Sequence, residues 1–243
     1  MQGVNWNLWH GCHKISEGCQ NCYVYRRDSS VDRDASAVTK TQNFNLPVKR
    51  SRGGEYKIPL GSFVLTCFTS DFFIEEADGW RTDAWKMIKE RSDCTFLFIT
   101  KRIERIYDCL PSDWGEGYDN VIIGCTVENQ KQADRRLPVF LSAPIKHRQI
   151  FCEPLLERID LTKYLCGKIE AVGAGGESGP DARVCDFDWV KSLSEQAKRA
   201  DISFSYHQTG ARLLKDGRLY KIDRRFQHSQ AKKAGVDYHA KEM

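Results

Sequence analysis

The sequence predicts an α/β fold built on a parallel sheet, and three observations point there. Short apolar, β-branched runs recur as near-continuous hydrophobic stretches, the pattern of strands buried on both faces. Helix-period segments lie between them, giving strand–helix units of about 25–30 residues. Polar or glycine-rich groups follow directly after successive runs, where parallel α/β folds bind their ligands.

In chain order, residues 3–9 (GVNWNLW) read as a first strand. SFVLTCFT (62–69), TFLFIT (95–100), VIIGCTV (121–127), RQIFC (148–152), KIEAVGA (168–174) and ISFSY (202–206) read as the others. Residues 78–91 place Trp80, Ala84, Trp85 and Ile88 on one helical face. Residues 101–110 put Ile103, Ile106, Tyr107 and Leu110 at i, i+3, i+4 and i+7. Asp188 stands where it would cap a helix carrying Val190, Leu193 and Ala197. This alternation implies βαβ crossovers and either a barrel or an open doubly wound sheet. No repeat, low-complexity segment or boundary interrupts it, so a single domain is expected.

The chain of 243 residues is 41% apolar and 29% charged, enough to bury a core without covalent staples. No apolar run approaches the roughly 18 residues of a membrane span. The start, MQGVNWNLWHGC, lacks the basic and apolar regions of a secretory signal. Ten cysteines in such a chain suggest reduced thiols in a cytoplasm, with any cluster of them binding metal or working chemically. The net charge of +4 is unevenly placed. Residues 211–243 hold nine Lys/Arg against four Asp/Glu, whereas the first 210 residues carry a net −1. The tail is therefore expected as a basic extension (211–243) packed on or near a main domain (1–210). It is either a solvated helix or a surface that meets nucleic-acid phosphates. VKRSRGGEYK (48–57) forms a second basic patch.

The groups at the strand ends are Ser70-Asp71, Thr100-Lys101-Arg102, Glu128-Asn129, Glu153-Pro154 and Gly175-Gly176-Glu177-Ser178-Gly179. Each alone reads as a cap or turn; five after five successive strands read as the floor of one pocket. AVGAGGESGP fails the G-x-G-x-x-G dinucleotide pattern, since Ser178 replaces the third glycine and Pro180 cuts the next helix short. Gly175 and Gly176 still permit close approach of an anionic ligand to free N–H groups.

Ahead of the strands, HGCHKISEGCQNCY places Cys12, Cys19 and Cys22 in one short polar stretch. The Cys19/Cys22 pair is half of a zinc site that His10 or His13 would complete as Cys3His. An iron–sulfur cluster is the other reading, because three thiolates leave one iron of a four-iron cluster open to a non-protein ligand.

NWNLWHGCHKISEGCQNCY, FTSDFF, FLFITKR, GCTVENQKQADRR, FCEPLL and AVGAGGESGP together resemble a phage-associated family of three-Cys-motif, radical-SAM-like proteins of unassigned function. The resemblance spans nearly the whole chain. It implies a partial or full (β/α) barrel of the radical SAM type, with a [4Fe–4S] cluster on Cys12, Cys19 and Cys22. The open iron would bind S-adenosylmethionine, whose reductive cleavage yields a 5′-deoxyadenosyl radical, fed by a reductant such as flavodoxin or ferredoxin. The cofactor would be held by Ser70, Asp71, Arg102, Glu128, Asn129, Gly175, Gly176 and Glu177, with Arg102 and Lys101 meeting either a substrate phosphate or the methionine carboxylate. Cys152 and Glu153 would be catalytic, the thiol returning a hydrogen atom to a substrate radical. Cys67 and Cys125 also fall near strand ends, and Cys94, Cys109, Cys166 and Cys185 read as structural. The chain departs from the common radical-SAM motif in spacing its first two cysteines by six residues rather than three. Asn21 stands where an aromatic residue usually precedes the last cysteine, and His207 and Thr209 replace a lysine and a tryptophan of the family.

Two functions are therefore expected in competition. One is an S-adenosylmethionine-dependent radical enzyme that modifies or repairs a nucleic-acid base or nucleotide, with no membrane partner. The other is a non-enzymatic nucleic-acid-binding protein with a structural iron–sulfur or zinc site.

Overall fold

Strands form where the apolar runs leave no polar face for solvent. The computed structural model describes residues 3–241. Its main parallel strands are β1 (Gly3–Trp6), β2 (Phe63–Thr66), β3 (Thr95–Thr100), β4 (Val121–Thr126), β5 (His147–Cys152), β6 (Ala171–Gly175) and β7 (Ser203–Gln208). The helices are α1 (Tyr23–Ser29), α2 (Asp78–Glu90), α3 (Ile106–Cys109), α4 (Gln130–Ser142), α5 (Phe187–Arg199) and α6 (Arg224–Lys233). Among the described residues no helix is long and apolar enough to cross a membrane.

The chain divides into two interleaved units. One comprises Met1–His13, Val24–Gly124 and Ser142–His147; the other comprises Lys14–Tyr23, Cys125–Leu141 and Arg148–Met243. In the first unit the strand order is β1-β2-β3-β4, with Val64 opposite both Val4 and Phe96 in parallel register. In the second it is β4-β5-β6-β7, with Val172 between Ile150 and Phe204. Strand β4 runs through both. Order in space thus follows order in sequence, without the reversal of a doubly wound sheet, and the winding is that of a (β/α) fold.

The first unit's core is aromatic. Phe72 stacks on Phe98 with centroids 4.3 Å apart, and Trp85 meets both edge-on. Helix α2 contributes Ala84, Trp85 and Ile88 as expected, and Trp85 Nε1 donates to Cys109 O at 2.8 Å. The next segment is shorter than its periodicity promised. A 3-10 turn (Ile103–Arg105) precedes the single turn of α3, so Ile103 and Ile106 are buried while Tyr107 stays exposed.

In the second unit, α5 buries Val190, Leu193 and Ala197. Its cap is Asp186 rather than Asp188: the Asp186 carboxylate accepts from Asp188 N–H at 2.9 Å, placing Asp188 inside the first turn. The basic tail folds as well. Arg212–Lys215 and Arg218–Lys221 form an antiparallel hairpin, and Leu213 pairs in parallel with Cys185. Helix α6 packs against β7. Further on, Tyr238 and Phe204 exchange backbone hydrogen bonds at 2.8 and 2.9 Å.

Candidate functional site

In the first unit the expected residues Cys12, Ser70, Asp71 and Arg102 come together. Gly11 turns the chain at φ +96°, where a Cβ would lie 2.3 Å from Ala37 O, so only glycine delivers Cys12 here. Cys12 N–H donates to Ala35 O at 2.8 Å, the Tyr25 hydroxyl donates to Cys12 O, and Ser70 Oγ donates to Gly11 O. Asp71, just past β2, accepts from Phe73 N–H at 3.0 Å, Thr100 Oγ1 at 2.8 Å and Lys101 N–H at 2.9 Å. Its second oxygen also pairs with Arg102 at 3.4 Å. Arg102 reaches on, with Nη1 3.4 Å from Cys12 Sγ and Nη2 donating to His13 O at 2.8 Å. A buried carboxylate therefore holds a guanidinium that places fixed positive charge beside the first cysteine.

In the second unit the segment carrying Cys19 and Cys22 is held against strand-end residues. Gly18 N–H donates to Glu128 Oε1 at 3.2 Å, and a Cβ on Gly18 would lie 2.9 Å from the Glu128 carboxyl carbon. Glu128 is fully buried and pairs with buried Arg136 at 2.7 Å, and Arg136 also donates to Thr126 O. Asn129 donates to Glu17 Oε2 at 3.1 Å, while its own oxygen caps α4 through Gln132 N–H. Asn21 donates to Glu177 Oε2 at 3.0 Å and to Asp181 O at 2.8 Å. Arg183 binds Glu177 through Nε at 3.0 Å and Nη2 at 2.7 Å, and also reaches Glu17 O at 3.0 Å. Burial alone would raise the Glu177 pKa, but the hydrogen bonds from Arg183 and Asn21 outweigh it and hold the carboxyl below its ordinary value.

A third group gathers where β5, β6 and β7 end. Cys152 is fully buried, and desolvation pushes its thiol far above the ordinary range, so it is a neutral S–H. Glu153, in a cis peptide with Pro154, meets His207 Nδ1 at 2.5 Å. Burial would lower the His207 pKa, but the hydrogen bond and charge of Glu153 raise it. The two glycines serve packing: a Cβ on Gly175 would lie 3.0 Å from Glu153 Oε2, and one on Gly176 would lie 2.3 Å from Thr209 O.

Among the described residues the three motif cysteines form no disulfide, and each is half-buried. Among the described residues no three His, Cys, Asp or Glu side chains are grouped to hold a metal ion. The donor chemistry still fits an iron–sulfur cluster: soft, reduced, partly accessible thiols, one of them beside an arginine.

A family model described as "Protein of unknown function (DUF5131)" matches residues 2–242. The chain belongs to the DUF5131 family. No curated protein and no solved structure matches it.

Several residues that build these groups in the DUF5131 chain lie outside the expected set. Arg136 follows Glu128 by eight residues, across the turn from β4 into α4, a spacing with no local periodic signature. Arg183, Asn21 and Glu17 lie in loops and meet Glu177 and Asn129 only through the tertiary fold. His10 pairs with Asp28 in the interior of the first unit, so this histidine, weighed as a zinc ligand, is partnered by a carboxylate. His207 carried the one readable signal, as the residue standing where the resembled family has a lysine.

Proposed function

We propose that this chain is an iron–sulfur, S-adenosylmethionine-dependent enzyme that modifies a nucleic-acid base or nucleotide. The observation that carries the reading is the second unit's Glu17–Asn21 segment, docked through Gly18 onto the strand-end carboxylate Glu128. The buried Glu128–Arg136 pair behind it fixes where this thiol-bearing loop stands.

Cys12, Cys19 and Cys22 are the residues that would hold the cluster. When bound, the cluster and S-adenosylmethionine supply a one-electron reduction and a hydrogen-abstracting radical. The chain's own residues have positioning work. Asp71 fixes Arg102, and Arg102 sets positive charge beside Cys12 Sγ, a sulfur that binds metal as an anion. Glu128 holds the Gly18 backbone N–H, while Asn129 and Glu177 hold the Glu17 and Asn21 side chains on either side of Cys19. His207, with its raised pKa, stays protonated nearer neutrality than a free imidazole and shares its Nδ1 proton with Glu153. Cys152 retains its proton at every physiological pH.

Anaerobic purification tests the reading. Brown protein with about four irons and four sulfides per chain, cleaving S-adenosylmethionine on reduction, is the expected result. Colourless protein holding one tightly bound zinc overturns it and favours the non-enzymatic alternative.

A further inference from the structure

The tail hairpin, α5 and α6 enclose a cavity of about 260 Å³ on the opposite side of β7 from His207. Residues alternate across a strand, so Tyr206 lines this cavity while His207 turns to Glu153. Its apolar lining is aromatic: Phe187, Tyr206 and Tyr220, joined by Leu213 and Ile222. Two lysines, Lys215 and Lys233, stand on it. Neither makes an ion pair among the described residues, and Lys215 Nζ sits 5.0 Å from the Phe187 ring centroid. Of the nearby acidic residues, Asp188 pairs with Lys191 at 2.6 Å and Asp223 with Arg225 at 3.7 Å.

The surrounding structure is under-satisfied. The Tyr206 hydroxyl, Arg212 Nε and Gln227 Oε1 are buried without a hydrogen-bond partner among the described residues. Native proteins leave few such atoms, and of the three Tyr206 belongs to the cavity lining. The hairpin's second strand is exposed at every position, and Arg218, Lys221, Arg224 and Arg225 extend positive charge outward from the cavity.

The geometry points to a binding site for a nucleobase with its phosphate. The ring stacks against Tyr220 or Phe187, the phosphate meets Lys215 and Lys233, and the arginines follow the adjoining backbone. Aromatic faces interleaved with cations are the chemistry by which proteins hold single-stranded nucleic acid. The volume is small for a whole cofactor and suits a single planar ring. This deepens the nucleic-acid half of the proposed function and is independent of the cluster chemistry. The aromatic and cationic lining leaves two sources for the ligand, a free mononucleotide or one base of a strand.

Fluorescence anisotropy of the full chain with a labelled oligothymidylate tests the site, using metal-free protein so that failure of the iron–sulfur reading leaves the result intact. Tyr220→Ala is expected to weaken binding about tenfold or more. Lys233→Gln is expected to weaken it and reduce the salt dependence by about 0.7 in log–log slope. Melting temperatures should stay unchanged, because both side chains are exposed. Lys86→Gln, on α2, serves as a control for diffuse charge. Competition by thymidine 5′-monophosphate would assign the site to free nucleotides as well; its failure to compete would assign it to strands. Wild-type affinity in Tyr220→Ala, or an equal loss in Lys86→Gln, overturns the proposal.

Discussion

Glu128 and Arg136 are both buried, and each is the other's main compensation. Removing one partner of such a pair leaves an unpaired charge in the interior, which costs about 3–5 kcal/mol. Urea unfolding of Arg136→Met should show that loss, and the double change Glu128→Leu/Arg136→Met should recover much of it. Glu177 makes a different, pH-dependent statement. Its folded pKa is depressed, so its stabilisation is present above the unfolded value and is lost as pH falls through the folded one. Melting temperature followed from pH 7 downward should therefore fall more steeply in wild type than in Glu177→Gln at the acid end. His207 has the opposite sign. Its contribution is full below the unfolded pKa of about 6.5 and disappears as pH rises through the raised folded value. His207→Asn should lose stability at pH 6 and little at pH 9, measured by the same melts.

At the scale of elements, Gly18 is the point where the cysteine segment closes on a strand end. A methyl there meets the Glu128 side chain, which Arg136 holds in place. Gly18→Val should lower the iron bound per chain severalfold on reconstitution while circular dichroism stays near wild type. Gly176→Ala is a harsher change, since its Cβ meets the backbone of residues 209–210. Overpacking of this kind costs about 1–3 kcal/mol, to be read as a drop in the denaturant midpoint. Strand placement was legible because buried strands are apolar on both faces: TFLFIT became β3 without a shift. Ends were less legible. KIEAVGA begins at 168, yet β6 starts at Ala171, because pairing and not hydrophobicity sets a strand's first residue. The cap of α5 moved from Asp188 to Asp186 because two acidic residues stand two apart, and only backbone geometry chooses between them. The strand-end polar groups were correctly singled out as positions. Their partners, Arg136, Arg183 and Tyr25, depend on packing that no local spacing encodes.

For the whole chain, sequential strand order distinguishes the fold from a doubly wound one, a point that strand–helix alternation left open. The basic tail is woven into the second unit: Leu213 and Ala231 are buried, and the hairpin pairs with Cys185–Asp186. A chain ending at residue 210 should accordingly lose much of its soluble yield and melt at lower temperature, checked by expression and calorimetry.

Strand β7 stands last in the strand order. The reciprocal bonds between Phe204 and Tyr238, with Asp237 accepting from Tyr206 N–H at 2.7 Å, occupy its outer backbone groups. An open outermost strand is a template for another chain. The few residues around Tyr238 thus act as a stopper against self-association. Cutting the chain after Gly235 should convert a well-behaved species into one that dimerises or precipitates as its concentration rises, visible by light scattering.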